Sequence, residues 1–356
     1  MTLHLNRPAL LRLAETLAIG AAGGMALGLA GLPAGWLAGA MLAVAGAAVF
    51  GRPLQIPHRL GQVTFVITGI SLGGAVTPEM LAGIATWPLS ILALTLAMIV
   101  LTASVALYLQ HVHGWDPGSA FLGACPGALS TVIMVAMDRK ADVSGIAVVQ
   151  TVRVVLLVAA LPAALSMLGI AGAPPPVQTV GVTAKAAIEL LVLFGIGFGA
   201  AIGMQWLRFP GALIFGSMIS SAVLHGTGLI TTLVPNWLAI ATFIMLGSLT
   251  GTRFAGMDLR LLRRLALASL GSFAVGTVVA MLCALLAAEV LSLNVGDTVL
   301  AYAPGAIEAM MILALALHFD PAFVAAHHLW RFMMVLVALP LLSRYIKPVK
   351  ADGKPD

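Results

Sequence analysis

Residues 126–162 read PGALSTVIMVAMDRKADVSGIAVVQTVRVVLLVAALP, and residues 304–340 read PGAIEAMMILALALHFDPAFVAAHHLWRFMMVLVALP. The two stretches align without a gap at an offset of 178 residues, and ten of their 37 positions are identical. The identities include Pro126/Pro304, Gly127/Gly305, Asp142/Asp320, Arg153/Arg331 and Pro162/Pro340. The same offset joins Gly69 to Gly247, Gly73 to Gly251 and Gly118 to Gly296, and an offset of 177 joins Pro33 to Pro210 and Gly39 to Gly216. The chain has 356 residues, twice 178, and is read as a duplication. The repeats are placed at 1–173 and 180–346, with a linker around Ala171–Gln178 whose Pro174-Pro175-Pro176 cannot continue a helix. Residues 347–356 read as a basic cytoplasmic tail.

Composition sets the surroundings. Hydrophobic residues make up 61% of the chain and charged residues 9%, with a mean hydropathy of +1.08. No soluble domain of this length hides that much apolar surface from water. The apolar runs are long enough to cross a bilayer and do not alternate as barrel strands do. The expected fold is an all-α polytopic membrane protein. A net charge of +5 does not point to nucleic acid, because the basic residues collect in loops between spans, where they act as orientation signals. Cys125 and Cys283 fall within apolar segments and make no disulfide framework or metal-type spacing. The first apolar run follows Arg7 and Arg12 and, with many spans after it, reads as an uncleaved first helix.

Helices are expected near 14–31, 34–51, 61–77, 87–110, 117–137 and 142–169, then near 184–206, 210–226, 236–254, 264–290, 296–317 and 321–343. The fifth segment of each half carries Pro-Gly near its middle. Proline removes a donor and glycine loosens the helix, so both segments are expected to be broken or re-entrant, with their freed backbone facing protein or a cavity. If they re-enter without crossing, each half makes five crossings and the second half is inverted. Fifteen of the 18 basic residues then face the cytoplasm, Lys185 alone faces outward, and Arg153 and Arg331 lie within the membrane. If every segment crosses, the division is 9 inside against 7 outside. The distribution favours two inverted repeats, each of about five transmembrane helices and one broken segment, with both termini cytoplasmic.

The candidate site gathers at the breaks. Arg153 and Arg331 lie deep in their spans, and a central arginine is a functional candidate by default. Gln150 and His328 each precede an arginine by three residues, and His327 precedes Arg331 by four, so polar faces form beside both. Two roles stand open for the arginines. The guanidinium can satisfy carbonyls and the negative dipole end at the broken helix, or it can hold an anionic substrate near the midplane. The first comes ahead, because a buried charge needs partners with or without a ligand. Ser130 and Glu308 occupy matching positions four after each Pro-Gly proline, with Thr131 beside the first. Glu308 is read either as the partner of Arg331 or as a proton or cation site. His327 and His328 are read as titrating groups or as packed helix residues with one hydrogen bond each. Asp142 and Asp320 read as caps of the following helices, Pro321 fitting the first helical position. The Gly69/Gly73 and Gly247/Gly251 pairs read as close helix packing, and most tryptophans as interfacial anchors, Trp330 excepted. No HExxH, P-loop or GxSxG occurs, so no catalytic residue, metal or cofactor is assigned.

The run Ala303-Pro-Gly-Ala-Ile-Glu followed by Phe323-Val-Ala-Ala-His-His-Leu-Trp-Arg331 resembles the AbrB family of bacterial inner-membrane proteins. So do Cys125-Pro-Gly-Ala-Leu-Ser with Val149-Gln-Thr-Val-Arg153, and the Leu32-Pro33 and Phe209-Pro210 segments. The resemblance covers essentially the whole chain and implies a duplicated membrane protein. Ala128 and Ala306 stand where the family pattern has a second glycine. The resemblance carries two inherited labels, ammonia monooxygenase and regulator of gene expression. It also implies a distant likeness to cation/proton antiporters and bile-acid-type transporters, which is an analogy of fold. The expected function is transporter-like movement of a small solute, an anionic one included, or of a coupled ion between the two broken-helix motifs. Pro126, Gly127, Ser130, Thr131, Gln150, Arg153, Pro304, Gly305, Glu308, His327, His328 and Arg331 are its substrate-binding candidates. A membrane-embedded regulator or sensor is the alternative, and a monooxygenase ranks behind both for lack of a metal constellation. Membrane lipid and a small solute are the expected partners, nucleic acid is not, and homo-oligomerisation stays open.

Overall fold

Proline and glycine punctuation, rather than hydropathy alone, sets where the helices stop. The computed structural model describes residues 7–76, 87–127, 129–170 and 184–343. The linker at 171–178, the tail at 347–356 and Ala128 lie outside the described residues. The first half forms α1 (Arg7–Leu29), α2 (Gly35–Val49), α3 (His58–Gly74), α4 (Trp87–His113), α5 (Pro117–Ala124), α6 (Leu129–Asp138) and α7 (Val143–Met167). The second forms α8 (Ala184–Trp206), α9 (Ala212–Gly226), α10 (Asn236–Gly251), α11 (Leu259–Leu291), α12 (Val295–Tyr302), α13 (Ile307–Ala316) and α14 (Pro321–Ser343). Among the described residues 7 helical spans are long and apolar enough to cross a membrane, and none is a strand.

Both expected breaks are present. Pro126-Gly127 separates α5 from α6, and Pro304-Gly305 separates α12 from α13. Two helices start earlier than hydropathy suggests. The α11 helix begins at Leu259 because Asp258 accepts from the Arg260 amide and fixes the first turn, so Arg260, Arg263 and Arg264 are helical. The α1 helix begins at Arg7, its basic first turns being helical although polar.

The duplication reappears as backbone conformation. Left-handed residues recur in pairs at the same two offsets: Gly31 with Arg208, Ala34 with Gly211, Gly51 with Gly228, Gly114 with Ser292, and Lys140 with His318. Caps recur too. Asp116 accepts from the Ser119 amide at 2.9 Å, and Asn294, 178 residues later, from the Asp297 amide at 3.1 Å. Asp142 and Asp320 cap as expected, accepting from Gly145 at 2.9 Å and Ala322 at 2.8 Å.

The described helices divide into two compact units, and each draws on both halves of the sequence. One comprises Met1–Gly83, Val158–Met257 and Met311–Ala322, and the other Ile84–Leu157, Asp258–Met310 and Phe323–Asp356. The first unit holds α1–α3 and α8–α10. Its packing is reciprocal between the halves: a β-carbon at Gly247 of α10 would strike the Leu37 carbonyl of α2, and one at Gly69 of α3 would strike the Ile214 carbonyl of α9. Gly251 meets Met41 of α2 as Gly73 meets Met218 of α9. Each second helix therefore packs on the third helix of the other half, with backbones close enough that only glycine fits. As α10 advances from Gly247 to Gly251 its neighbours on α2 advance from Leu37 to Met41, so the two run parallel. Against α1 the order reverses, Gly20 meeting Ser248 and Gly24 meeting Ile244, so α1 and α10 run antiparallel. Gly61, near the start of α3, meets Leu249, near the end of α10.

The second unit holds α4, α5, α6, most of α7, α11, α12, the start of α13 and nearly all of α14. Here the fourth helices of the two halves pack on each other, with Leu101, Val105 and Leu109 of α4 against Ala268 and Ala280 of α11. Val132 and Ala136 of α6 pack with Ile146 of α7 and with Val335 and Leu339 of α14, so elements of both halves share one core.

Gly247→Val should lower the detergent melting temperature sharply, by the equivalent of more than about 2 kcal/mol, because no rotamer moves the Leu37 carbonyl. Gly46→Ala, at a helical glycine with no heavy atom within 4 Å of the new carbon, should change it by less than about 0.5 kcal/mol or raise it. A scanning melt of both variants checks the pair.

Candidate functional site

A helix that stops inside a membrane protein leaves up to four carbonyls without amide partners. At the end of α5 the Leu122, Ala124 and Cys125 carbonyls are such acceptors. Gln150 of α7 donates through Nε2 to Leu122 at 2.9 Å. Arg153, one turn further along α7, donates through Nη1 to Ala124 at 3.1 Å and through Nη2 to Cys125 at 3.0 Å. The end of α12 repeats the device. His328 of α14 donates through Nε2 to Leu300 at 3.0 Å, and Arg331 donates to Ala303 at 2.5 Å and to Gly305 at 2.6 Å. The pairs Gln150–Leu122 and His328–Leu300 are the same pair shifted by 178, as are Arg153–Cys125 and Arg331–Ala303.

Both arginines are buried, Arg153 at 2% and Arg331 at 1% exposure. Among the described residues neither pairs with a carboxylate, and the ion pairs there are Arg52–Glu15 and Lys185–Glu189. Their counter-charges are the negative ends of α5 and α12, each worth about half an elementary charge. Arg331 Nε lies 4.0 Å from where a β-carbon on Gly127 would stand, so the second-half arginine reaches the first-half break.

The histidines separate into two roles. His328 accepts from Arg331 at Nδ1 and donates from Nε2 to Leu300, an arrangement that fixes a neutral ring and one tautomer. His327 turns to α4: its Nε2 lies 2.7 Å from Ser90 Oγ, and its Nδ1 donates to the Phe323 carbonyl at 2.8 Å. Tyr302, the last residue of α12, donates to the Ser90 carbonyl at 2.7 Å and joins α12 to the same cluster. Ser90 and Tyr302 were missed by sequence reasoning. Neither has a polar counterpart in the other half, since the matching positions are Ala268 and Ala124.

The remaining candidates are placed as follows. Pro126, Pro304 and Gly305 are buried and Gly127 is half-buried, at φ +90. Thr131 is half-buried in the first turn of α6, and Ser130 beside it is exposed. Glu308 is half-buried in the first turn of α13 and makes no hydrogen bond or ion pair with a described residue. The expectation that Glu308 partners Arg331 is therefore replaced by carbonyls and His328 in that role. Trp330, expected as an exception among the tryptophans, is exposed and donates to Thr95 of α4 at 2.9 Å. Among the described residues no group of three or more His, Cys, Asp or Glu is placed to hold a metal ion.

Because Gln already does in the first half what His328 does in the second, His328→Gln should hold stability to within about 1 kcal/mol. His328→Leu, which orphans the Leu300 carbonyl and one guanidinium hydrogen, should cost roughly 1–3 kcal/mol. Arg331→Met, which orphans two carbonyls and the imidazole, should cost more than either. Thermal melts of the three purified variants test that order.

A family model described as transition state regulatory protein AbrB matches residues 36–347. The chain is 26% identical over 367 residues to "Uncharacterized protein YhjN" of Bacillus subtilis (strain 168), covering 95% of this chain and 94% of that one. It is 26% identical over 320 residues to "Putative regulator AbrB" of Escherichia coli (strain K12), covering 88% and 90% of the two chains. No solved structure matches it. The family match runs through both Pro-Gly breaks and both buried arginines, and this chain belongs to the AbrB family.

Proposed function

We propose that this chain is a secondary-transporter-like protein of the bacterial inner membrane that moves a small solute or coupled ion past its two interrupted helices. The observation that carries the reading is the pair of helix breaks within one unit, each with its carbonyls held by a buried arginine from the same half. Breaks of this kind expose backbone donors and acceptors at membrane depth, where a ligand can meet them without unfolding a helix. The halves are inverted and both termini are cytoplasmic. Support comes from the reciprocal packing of α2 on α10 and α3 on α9, and from the meeting of Gly61 near the start of α3 with Leu249 near the end of α10. Such a meeting fits equivalent helices that run in opposite directions, and the basic residues fit the same orientation. In this reading the substrate contacts the Pro126-Gly127 and Pro304-Gly305 breaks, with Ser130, Thr131 and Glu308 at the starts of the helices that follow. Gln150, Arg153, His328 and Arg331 hold those breaks in shape, and His327 fixes α14 to α4. The chain performs no catalysis.

A second reading, a membrane sensor using the same breaks for detection, is favoured by the printed name of the Escherichia coli relative. Flux separates the two. Purified protein in proteoliposomes should carry a solute at a rate at least about tenfold above protein-free vesicles, and Arg331→Lys that elutes as folded protein should lose most of that rate. Saturable solute binding without flux would favour the sensor. Orientation has its own check: in a background lacking Cys125 and Cys283, cysteines introduced at Lys140 and Leu262 should both label from the cytoplasmic side.

A further inference from the structure

The hydrogen bonds at the two arginines leave the Nε–H of each guanidinium unused. Arg153 spends both terminal nitrogens on the Ala124 and Cys125 carbonyls, and its Nε–H is buried without a hydrogen-bond partner. Arg331 spends its terminal nitrogens on Ala303, Gly305 and His328, and its Nε, which bonds to no described residue, faces Gly127. Each guanidinium thus keeps one Nε–H at the Pro-Gly breaks, a charge-assisted donor suited to one oxygen of a carboxylate or phosphate.

The backbone adds donors of the same sign. The first amide of α13 to find an acceptor is that of Met310, on the Ala306 carbonyl at 3.0 Å. The Ile307, Glu308 and Ala309 amides make no hydrogen bond with a described residue, although Ala309 is only 3% exposed. The charge balance agrees. Two guanidiniums and the positive ends of α6 and α13 face the negative ends of α5 and α12 and one acid, Glu308, leaving roughly one net positive charge. A buried region with spare donors and net positive charge is stabilised further when an anion supplies acceptors.

We infer that the two Pro-Gly breaks of this unit bind a small oxyanion, a carboxylate or a phosphate, between the free Nε–H donors of Arg153 and Arg331 and the N-terminus of α13. The inference rests on the transporter-like reading of the same breaks and names its substrate class. Glu308 opposes the anion's charge and limits its affinity.

The test uses acetate, succinate and inorganic phosphate as probes on the purified full chain, with chloride matching the ionic strength and choline as the cation control. At least one oxyanion should raise the melting temperature saturably below about 10 mM, a concentration that weak but specific binding reaches. Arg153→Lys, which keeps the charge and loses the Nε–H, should weaken that binding by about tenfold or more. Glu308→Gln touches no hydrogen bond in the described structure and should tighten it by about threefold or more. If Arg153→Lys does not fold, Glu308→Gln decides alone. Absence of saturable binding by all three oxyanions, or weaker binding in Glu308→Gln, overturns the inference. Oxyanion binding without flux leaves the inference standing and sinks the transporter reading. Cation flux without oxyanion binding does the reverse.

Discussion

A carbonyl at the end of a helix must find a donor, and deep in a membrane protein there is little water to supply one. That constraint organises the second unit. The α5 and α12 helices stop at buried residues, Cys125 and Ala303, and leaving their last carbonyls bare would cost on the order of 1–3 kcal/mol each. A guanidinium answers two of them at once, and its charge opposes the negative helix end it sits on. The arginine gains as much as the helix does, since a lone cation in that setting would be heavily penalised. Break and arginine are thus two parts of one solution. Each lowers the cost of the other.

The two copies have diverged around this shared core. The residue one turn before the arginine is Gln150 in the first half and His328 in the second, and both reach the equivalent carbonyl. Only the imidazole also accepts from its arginine, which ties the second-half donors into one network. Gly127 adopts a positive φ whereas Gly305 does not, so the two breaks differ in backbone conformation. The first carries Ser130 where the second carries Glu308. A protein whose halves were functionally equivalent would have no reason to place an acid at one break and a serine at the other.

Much of this was legible in the sequence, and its limits have physical causes. The Pro-Gly dipeptides announce the breaks because they alter backbone chemistry directly, and the depth of Arg153 and Arg331 follows from their place in apolar runs. The carbonyl-holding role of the arginines also followed from the energetics of a buried charge. The paired left-handed turns were hidden: Lys140 matches His318, and Arg208 matches Gly31, because a backbone conformation can persist after its residue type is lost. The start of α11 was misjudged because a capping aspartate carries a helix beyond the apolar span that hydropathy detects. The cluster of His327, Ser90 and Tyr302 was invisible for a different reason. It joins segments more than 200 residues apart and has no copy in the other half to draw attention to it.

The glycine contacts between α2 and α10, and between α3 and α9, bear on how such a chain is made. The surfaces that seat α2 and α3 are supplied by helices encoded after the midpoint. When the ribosome has delivered the first half, those grooves face lipid, filled by acyl chains. Biogenesis must therefore hold an unfinished half in the bilayer until its later counterpart arrives.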